Sequence, residues 1–235
     1  MNNICETFHI RGTFNVACLQ ECLNLVAESD PALRTRIITD AQGEPWQYEV
    51  PWQRIQFPVL DFSATHQEGI LHWEKSVARE VMPLTDSPLF QFVIVKIGEH
   101  EGEVLIKTHH LISDGWSLVA LINKIAVAYL ELLEGKTPQI EPSPSYRLHV
   151  EDEEKYLHSK IHDRDVDYWK RILEDVTPPV SLKEEQGADV SPVGYRRTFY
   201  LTEIMNHELN AFCTSHRIAP FAVFYMAVAI YLKRT

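Results

Sequence analysis

Thr108-His109-His110-Leu111-Ile112-Ser113-Asp114-Gly115-Trp116-Ser117 is the stretch that decides the reading of this chain. Two adjacent histidines precede an Asp-Gly pair, where an apolar strand gives way to a long amphipathic helix. Upstream, Leu89 to Ile97 is rich in Val, Ile and Phe and reads as a strand. Glu99 to Gly102 is a polar turn. Glu103 to His109 alternates, with Val104, Ile106 and Thr108 on one side and Leu105, Lys107 and His109 on the other. His109 and His110 close that strand. Strand side chains alternate faces, so consecutive histidines point opposite ways and no metal site is expected from the pair. Downstream, Leu118, Leu121, Ile122, Ile125, Tyr129 and Leu132 form one apolar stripe, and Gly135 supplies a helix stop. By position alone, Asp114 or Ser113 could simply cap that helix. An imidazole facing a cleft, a carboxylate anchoring a turn and a glycine admitting a substrate also suit acyl transfer.

The rest of the chain reads as mixed α and β. Phe8 to Arg11, Arg36 to Ile38, Pro45 to Val50 and Tyr195 to Tyr200 are expected strands. Val16 to Ala27 is an amphipathic helix with Asn15 as a plausible cap. Gln67 to Val81 is a helix stopped by Pro83. Glu151 to Lys160 and Asp163 to Leu173 are charged helices, or one bent helix. Ile204 to His216 and Phe221 to Arg234 are further helices, the second read as a buried core helix. Pro178 to Pro192 is polar and broken by prolines.

Composition narrows the partners. Apolar residues at 45% can fill a real core, and a formal charge of −11 argues against nucleic acid or an anionic membrane. Cys5, Cys18, Cys22 and Cys213 show neither metal-binding spacing nor a disulfide framework. The N-terminal residues lack the pattern of a signal peptide, and the apolar run from Ala219 to Leu232 is too short to span a bilayer, which takes about 20 residues. A cytoplasmic location is expected.

His109 to Ser117 closely resembles the HHxxxDG signature of condensation domains from nonribosomal peptide synthetases, and Trp116-Ser117 looks like the peptide-bond-forming members. A shorter HxxxD is shared by a wider acyltransferase superfamily that includes chloramphenicol acetyltransferase. Phe8 to Asn15 resembles the opening strand and turn of such a domain. Ala32 to Ile37 resembles its second motif, although Ser29, Asp30 and Pro31 stand where Arg, His and Glu are common. Ser145-Tyr146 falls where a tyrosine-rich motif is expected, with Leu148 and His149 in place of its usual Asp and aromatic. Asp167 to Trp169 resembles the helix ending the first lobe, and Ile218 to Phe221 the start of a core helix in the second.

The resemblance implies an α/β fold, an α+β sandwich: a chloramphenicol-acetyltransferase-like lobe followed by a truncated second lobe. Residues 1–175 would form the N-terminal lobe, 176–194 the interlobe linker and 195–235 the beginning of the C-terminal lobe. His110 would line a cleft at the lobe boundary as the catalytic residue, either taking a proton from the attacking amine or hydrogen-bonding it, since imidazole titrates near neutrality. His109 would be structural behind the loop. Asp114 would pair with a buried arginine, Arg34 first and Arg36 second. Gly115 would let a thioester arm pass close to the backbone. Trp116, beside Ser117 at the substrate side, reads as a core anchor in preference to a substrate contact.

No cofactor is expected on the chain. 4'-Phosphopantetheine would arrive on peptidyl or aminoacyl carrier domains, and adjacent synthetase domains would be partners. The reaction would be amide formation by a complete parent, with the isolated chain inactive. A stand-alone acyltransferase using coenzyme A thioesters and a noncatalytic truncated interaction module are the alternatives. Phe221, Val223, Phe224 and Tyr225 would favour self-association of the chain alone.

Overall fold

The computed structural model describes residues 3–64, 67–176 and 197–234. These form two compact units, residues 1–162 and 163–235.

The first unit is built on strand periodicity. Strand β1 (Asn3–Arg11) lies antiparallel to β6 (Glu101–His109), and β6 lies antiparallel to β5 (Phe90–Lys96). β4 (Val59–Asp61) adds in parallel to β5, giving the sheet order β1-β6-β5-β4. One face carries Phe90, Phe92, Ile94, Val104 and Ile106 against helix α1 (Val16–Ser29) and helix α3 (Gly115–Leu133). The other carries Val93, Val95 and Leu105 against Val77 and Trp73 of helix α2 (Gln67–Arg79). The alternation predicted for β6 is therefore the division between two apolar layers. Each fully buried Leu, Ile or Phe contributes about 1.5–3 kcal/mol of transfer free energy, so this layering is the main source of the fold's stability.

Helix α1 starts where Asn15 accepts a hydrogen bond from the Cys18 amide. Cys22 is buried on its inner face, where its thiol donates to the Ile125 carbonyl of α3 at 3.2 Å. Burial pushes that thiol up to about 12, so it stays an inert packing group. Tyr129 of α3 is buried too. Its hydroxyl donates to the Thr13 carbonyl and accepts from the Asn15 amide, bolting α3 to the turn before α1. By length and composition α3 could cross a membrane. Here Leu118, Leu121, Ile125 and Tyr129 form its buried face within the core. Gly135, at φ +73°, ends it in a conformation that glycine adopts readily.

A 3-10 turn at Pro31–Arg34 leads into a second, two-stranded sheet of β2 (Thr35–Thr39) and β3 (Pro45–Glu49). Helix α4 (Tyr146–Leu157) is capped by Ser145 and begins five residues before the expected Glu151, because Ser145 supplies an N-cap. Helix α5 (Lys160–Ile172) follows. The second unit holds most of α5, helix α6 (Glu203–His216) and helix α7 (Pro220–Arg234).

Several sequence expectations need correction. β6 ends at His109, so His110 is the first residue of a turn and the alternation rule does not reach it. Helix α2 ends at Arg79, ahead of Val81 and Pro83, where Lys107 takes up the helix-end carbonyls of Val77 and Glu80 at 2.6 and 2.8 Å. Residues 197–200 form no strand, and Tyr195 lies outside the described residues. Helix α7 is not a buried core helix: none of its side chains is buried, and Phe221 and Tyr225 are both exposed. The linker expected at 176–194 lies, apart from Val176, outside the described residues.

Candidate active site

The motif occupies a strand-turn-helix corner. At its start, the His109 amide donates to the Leu89 carbonyl at 2.8 Å, the last rung joining this end of β6 to the β5 side. The Leu111 amide then donates to His109 Nδ1 at 3.1 Å, and the Ile112 amide to the His109 carbonyl at 3.0 Å. Nδ1 is thus an acceptor, which in the neutral ring leaves the proton on Nε2. Burial lowers the His109 pKa, and neighbouring His110 lowers it further. The loop's own polar groups therefore keep His109 engaged.

His110 has the opposite surroundings. It is exposed, and its imidazole makes no hydrogen bond among the described residues. It lines a groove of about 380 Å³. Ala32 and Thr35, Gln47 of β3, and Pro144 and Tyr146 supply the walls outside the loop, and His109 does not line it. A larger cavity of about 560 Å³, between Arg36, Trp52, Phe57 and Phe90, contains no residue of the stretch His109 to Ser117. Volume alone therefore does not locate the chemistry. Among the described residues no cluster of three or more His, Cys, Asp or Glu side chains is placed to hold a metal ion.

Asp114 does not pair with either arginine. Its Oδ1 accepts from the amide and from the hydroxyl of Ser117, both at 2.7 Å, which makes it the N-cap of α3. These bonds, the Ser117 amide foremost, hold its carboxyl below the usual carboxylate range. Arg34 instead donates from Nη1 to the Val50 carbonyl at 3.0 Å, with Glu49 4.0 Å from its guanidinium. Arg36 donates to the carbonyl of its neighbour Thr35 and faces the other cavity. The physical reason is local. The first turn of α3 offers unpaired amides within reach of Asp114, and Asp114 is exposed, so no buried charge demands a cation.

Trp116 is likewise not a core anchor. It stands at the first turn of α3 with 84% of its surface exposed. Gly115 faces open space: a methyl group there would touch nothing within 4 Å. Ser117 lines the groove beside Asp114. Sequence reasoning missed Thr35 and Gln47 as groove residues. Thr35 carried a signal in the Ala32 to Ile37 resemblance, whereas Gln47 carried none, because the β2–β3 hairpin brings it to the loop. Tyr146 had one, in the Ser145-Tyr146 pair.

A histidine at a strand-turn-helix corner, beside a capping aspartate and a bare glycine, is the arrangement that the HHxxxDG stretch takes here. The sequence model of the condensation domain family matches residues 3–235. The chain belongs to that family. It is 30% identical over 218 residues to surfactin synthase subunit 1 of Bacillus subtilis (strain 168), covering 92% of this chain and 6% of that protein. The first condensation domain of the calcium-dependent antibiotic synthetase, solved with a substrate analogue, superposes with a TM-score of 0.83 at 22% identity, over 99% of this chain and 56% of that one. A starter condensation domain of rhizomide synthetase, solved as a mutant in complex with C8-CoA, gives a TM-score of 0.71 at 24% identity, over 79% and 43%. The fold is thus chloramphenicol-acetyltransferase-like, and the chain spans about half the length of these solved domains and a small part of the synthetase.

Proposed function

We propose that these residues serve amide formation between a carrier-bound acyl thioester and the α-amine of a carrier-bound aminoacyl group. The amine nitrogen bonds to the acyl carbon, the carbon–sulfur bond breaks, and the amine proton leaves as the pantetheine thiol is released. Thioester aminolysis runs downhill, so positioning and proton management are the main demands on the protein. The observation that carries this reading is the placement of His110: exposed in a groove, at a strand-turn-helix corner, with no hydrogen bond to its ring nitrogens among the described residues.

In this proposal His110 is the catalytic residue. His109 and Asp114 shape the loop from inside, and Arg34 holds the chain after β3 through the Val50 carbonyl. Gly115, Trp116 and Ser117 flank the substrate path, a role for Trp116 that its exposure supports. The partners are phosphopantetheine-bearing carrier domains and adjacent synthetase domains, in the cytoplasm, with neither nucleic acid nor membrane involved.

A second reading has one observation in its favour. The rhizomide synthetase domain, similar in fold, was solved with C8-CoA. A coenzyme A thioester in place of the carrier-bound donor would leave the role of His110 unchanged. The test offers the full-length protein an acceptor-loaded carrier together with either a carrier-bound or a coenzyme A-bound acyl donor, and follows amide formation by mass spectrometry. Product from the carrier-bound donor alone supports the first reading. Product from the coenzyme A donor alone supports the second, and none from either removes both.

A further inference from the structure

Among the described residues His110 makes no side-chain hydrogen bond, so its position depends on what fixes the backbone of residues 110–114. Three attachments do so. Asp114 ties the loop's end to α3. The two amide bonds to His109 tie its start to β6. The third crosses the loop: the Ser113 hydroxyl donates to Thr108 Oγ1 at 2.6 Å, with the His109 carbonyl 3.4 Å away.

We infer that the Thr108–Ser113 hydroxyl pair is a clasp that positions His110, Thr108 being the positioning residue on the sheet and Ser113 its counterpart on the loop. Burial is the first argument. Thr108 is fully buried at the end of the layer that holds Val104 and Ile106. A hydroxyl there is costly without a partner, and Ser113 is the partner it has. Geometry is the second. Thr108 and Ser113 lie on either side of the segment 109–112, so a bond between them closes a ring of backbone with His110 at its exposed side. The third argument is what borders the clasp. Both hydroxyl residues line a cavity of about 200 Å³ that also touches Asp30, Lys124 and Ser143. Without the clasp the loop has that space to relax into. Ala32, Ile112, Ser113 and Ser117 line both this cavity and the His110 groove.

This inference rests on the proposed role of His110, and the experiment separates the two. Thr108→Val replaces the hydroxyl by a methyl of the same shape. Thr108→Ser keeps the hydroxyl. Each is made in the full-length protein, with His110 intact and in a His110→Ala background, and assayed for amide formation between loaded carriers. A misplacement of about 1 Å can cost roughly 10²-fold in rate. Thr108→Val should therefore lower kcat by about 10- to 100-fold with KM changed less than twofold, and Thr108→Ser should recover most of the loss. In the His110→Ala background Thr108→Val should change the residual rate less than twofold, because the clasp acts through that imidazole. Circular dichroism and thermal melts establish that each variant is folded, and Ser113→Ala reports on the same bond should Thr108→Val fail to fold. An equal kcat for Thr108→Val and wild type, or an equal loss in both backgrounds, overturns the clasp. An unchanged rate for His110→Ala alone overturns the function of the site instead.

Discussion

Removing the Tyr129 hydroxyl should loosen the helix that carries the motif at its start. That hydroxyl accepts from the Asn15 amide at 2.8 Å and donates to the Thr13 carbonyl at 2.9 Å, from a residue only 5% exposed. Tyr129→Phe leaves both backbone groups without their partner while keeping the ring's packing. A typical intramolecular hydrogen bond contributes about 0.5–1.5 kcal/mol net, so the pair should contribute about 1–3 kcal/mol. For a domain of this size about 1 kcal/mol corresponds to roughly 2–4 °C in melting temperature. The variant should therefore melt about 2–12 °C below wild type, with its urea midpoint lowered and the slope unchanged. Tyr225→Phe, at an exposed position on α7, is the control and should melt with wild type. A Tyr129→Phe protein that melts within about 1 °C of wild type would refute the idea that this hydroxyl holds α3 to the turn before α1.

Other perturbations probe other parts. Asp114 has a depressed carboxyl pKa, so its contribution to stability is present above the unfolded value near 3.9 and lost as pH falls through the lower folded value. The melting difference between wild type and Asp114→Asn should be steady above about pH 5 and close towards pH 3; a gap that persists at low pH contradicts a charged cap. Gly102→Ala places a methyl well inside contact with the Phe14 ring, and should destabilise by about 1–3 kcal/mol in denaturant titration. Phe14→Leu should relieve most of that penalty, and equal penalties in both backgrounds would show that the ring is not what the methyl meets. Residues 1–235 expressed alone should self-associate in light scattering through exposed Phe221, Phe224 and Tyr225, and Phe221→Glu with Tyr225→Lys should reduce the scattering mass. An unchanged mass would place any association elsewhere.

What the sequence made legible was what repeats locally. The alternation through β6 identified both layers of the sheet, and the stripe from Leu118 to Leu132 identified the inner face of α3. The cap at Asn15 was legible because side chain and amide lie three residues apart. The HHxxxDG motif located the loop for the same reason. Long-range partners were not legible. Lys107 sits on the layer that faces α2, yet nothing near it in sequence says that its ammonium ends that helix from 27 and 30 residues away. Arg34 was assigned to Asp114 by resemblance, whereas its Nη1 donates to the Val50 carbonyl and the amide of Ser117 donates to the aspartate. Trp116 carried a composition signal for burial, and its position at the first turn of α3 leaves it outside. β4, with only three residues, has too short a pattern to register.

The most direct test of the site is a single-turnover assay of amide formation by the full-length protein carrying His110→Ala, with both carriers loaded. General acid–base or hydrogen-bonding assistance by one imidazole accounts for about 10²–10⁴-fold. The variant should therefore form product at least about 10²-fold more slowly than wild type, with a melting temperature within about 1 °C, because the exposed ring packs against little. A folded His110→Ala protein that joins the two substrates at the wild-type rate would contradict the assignment of this groove as the catalytic site.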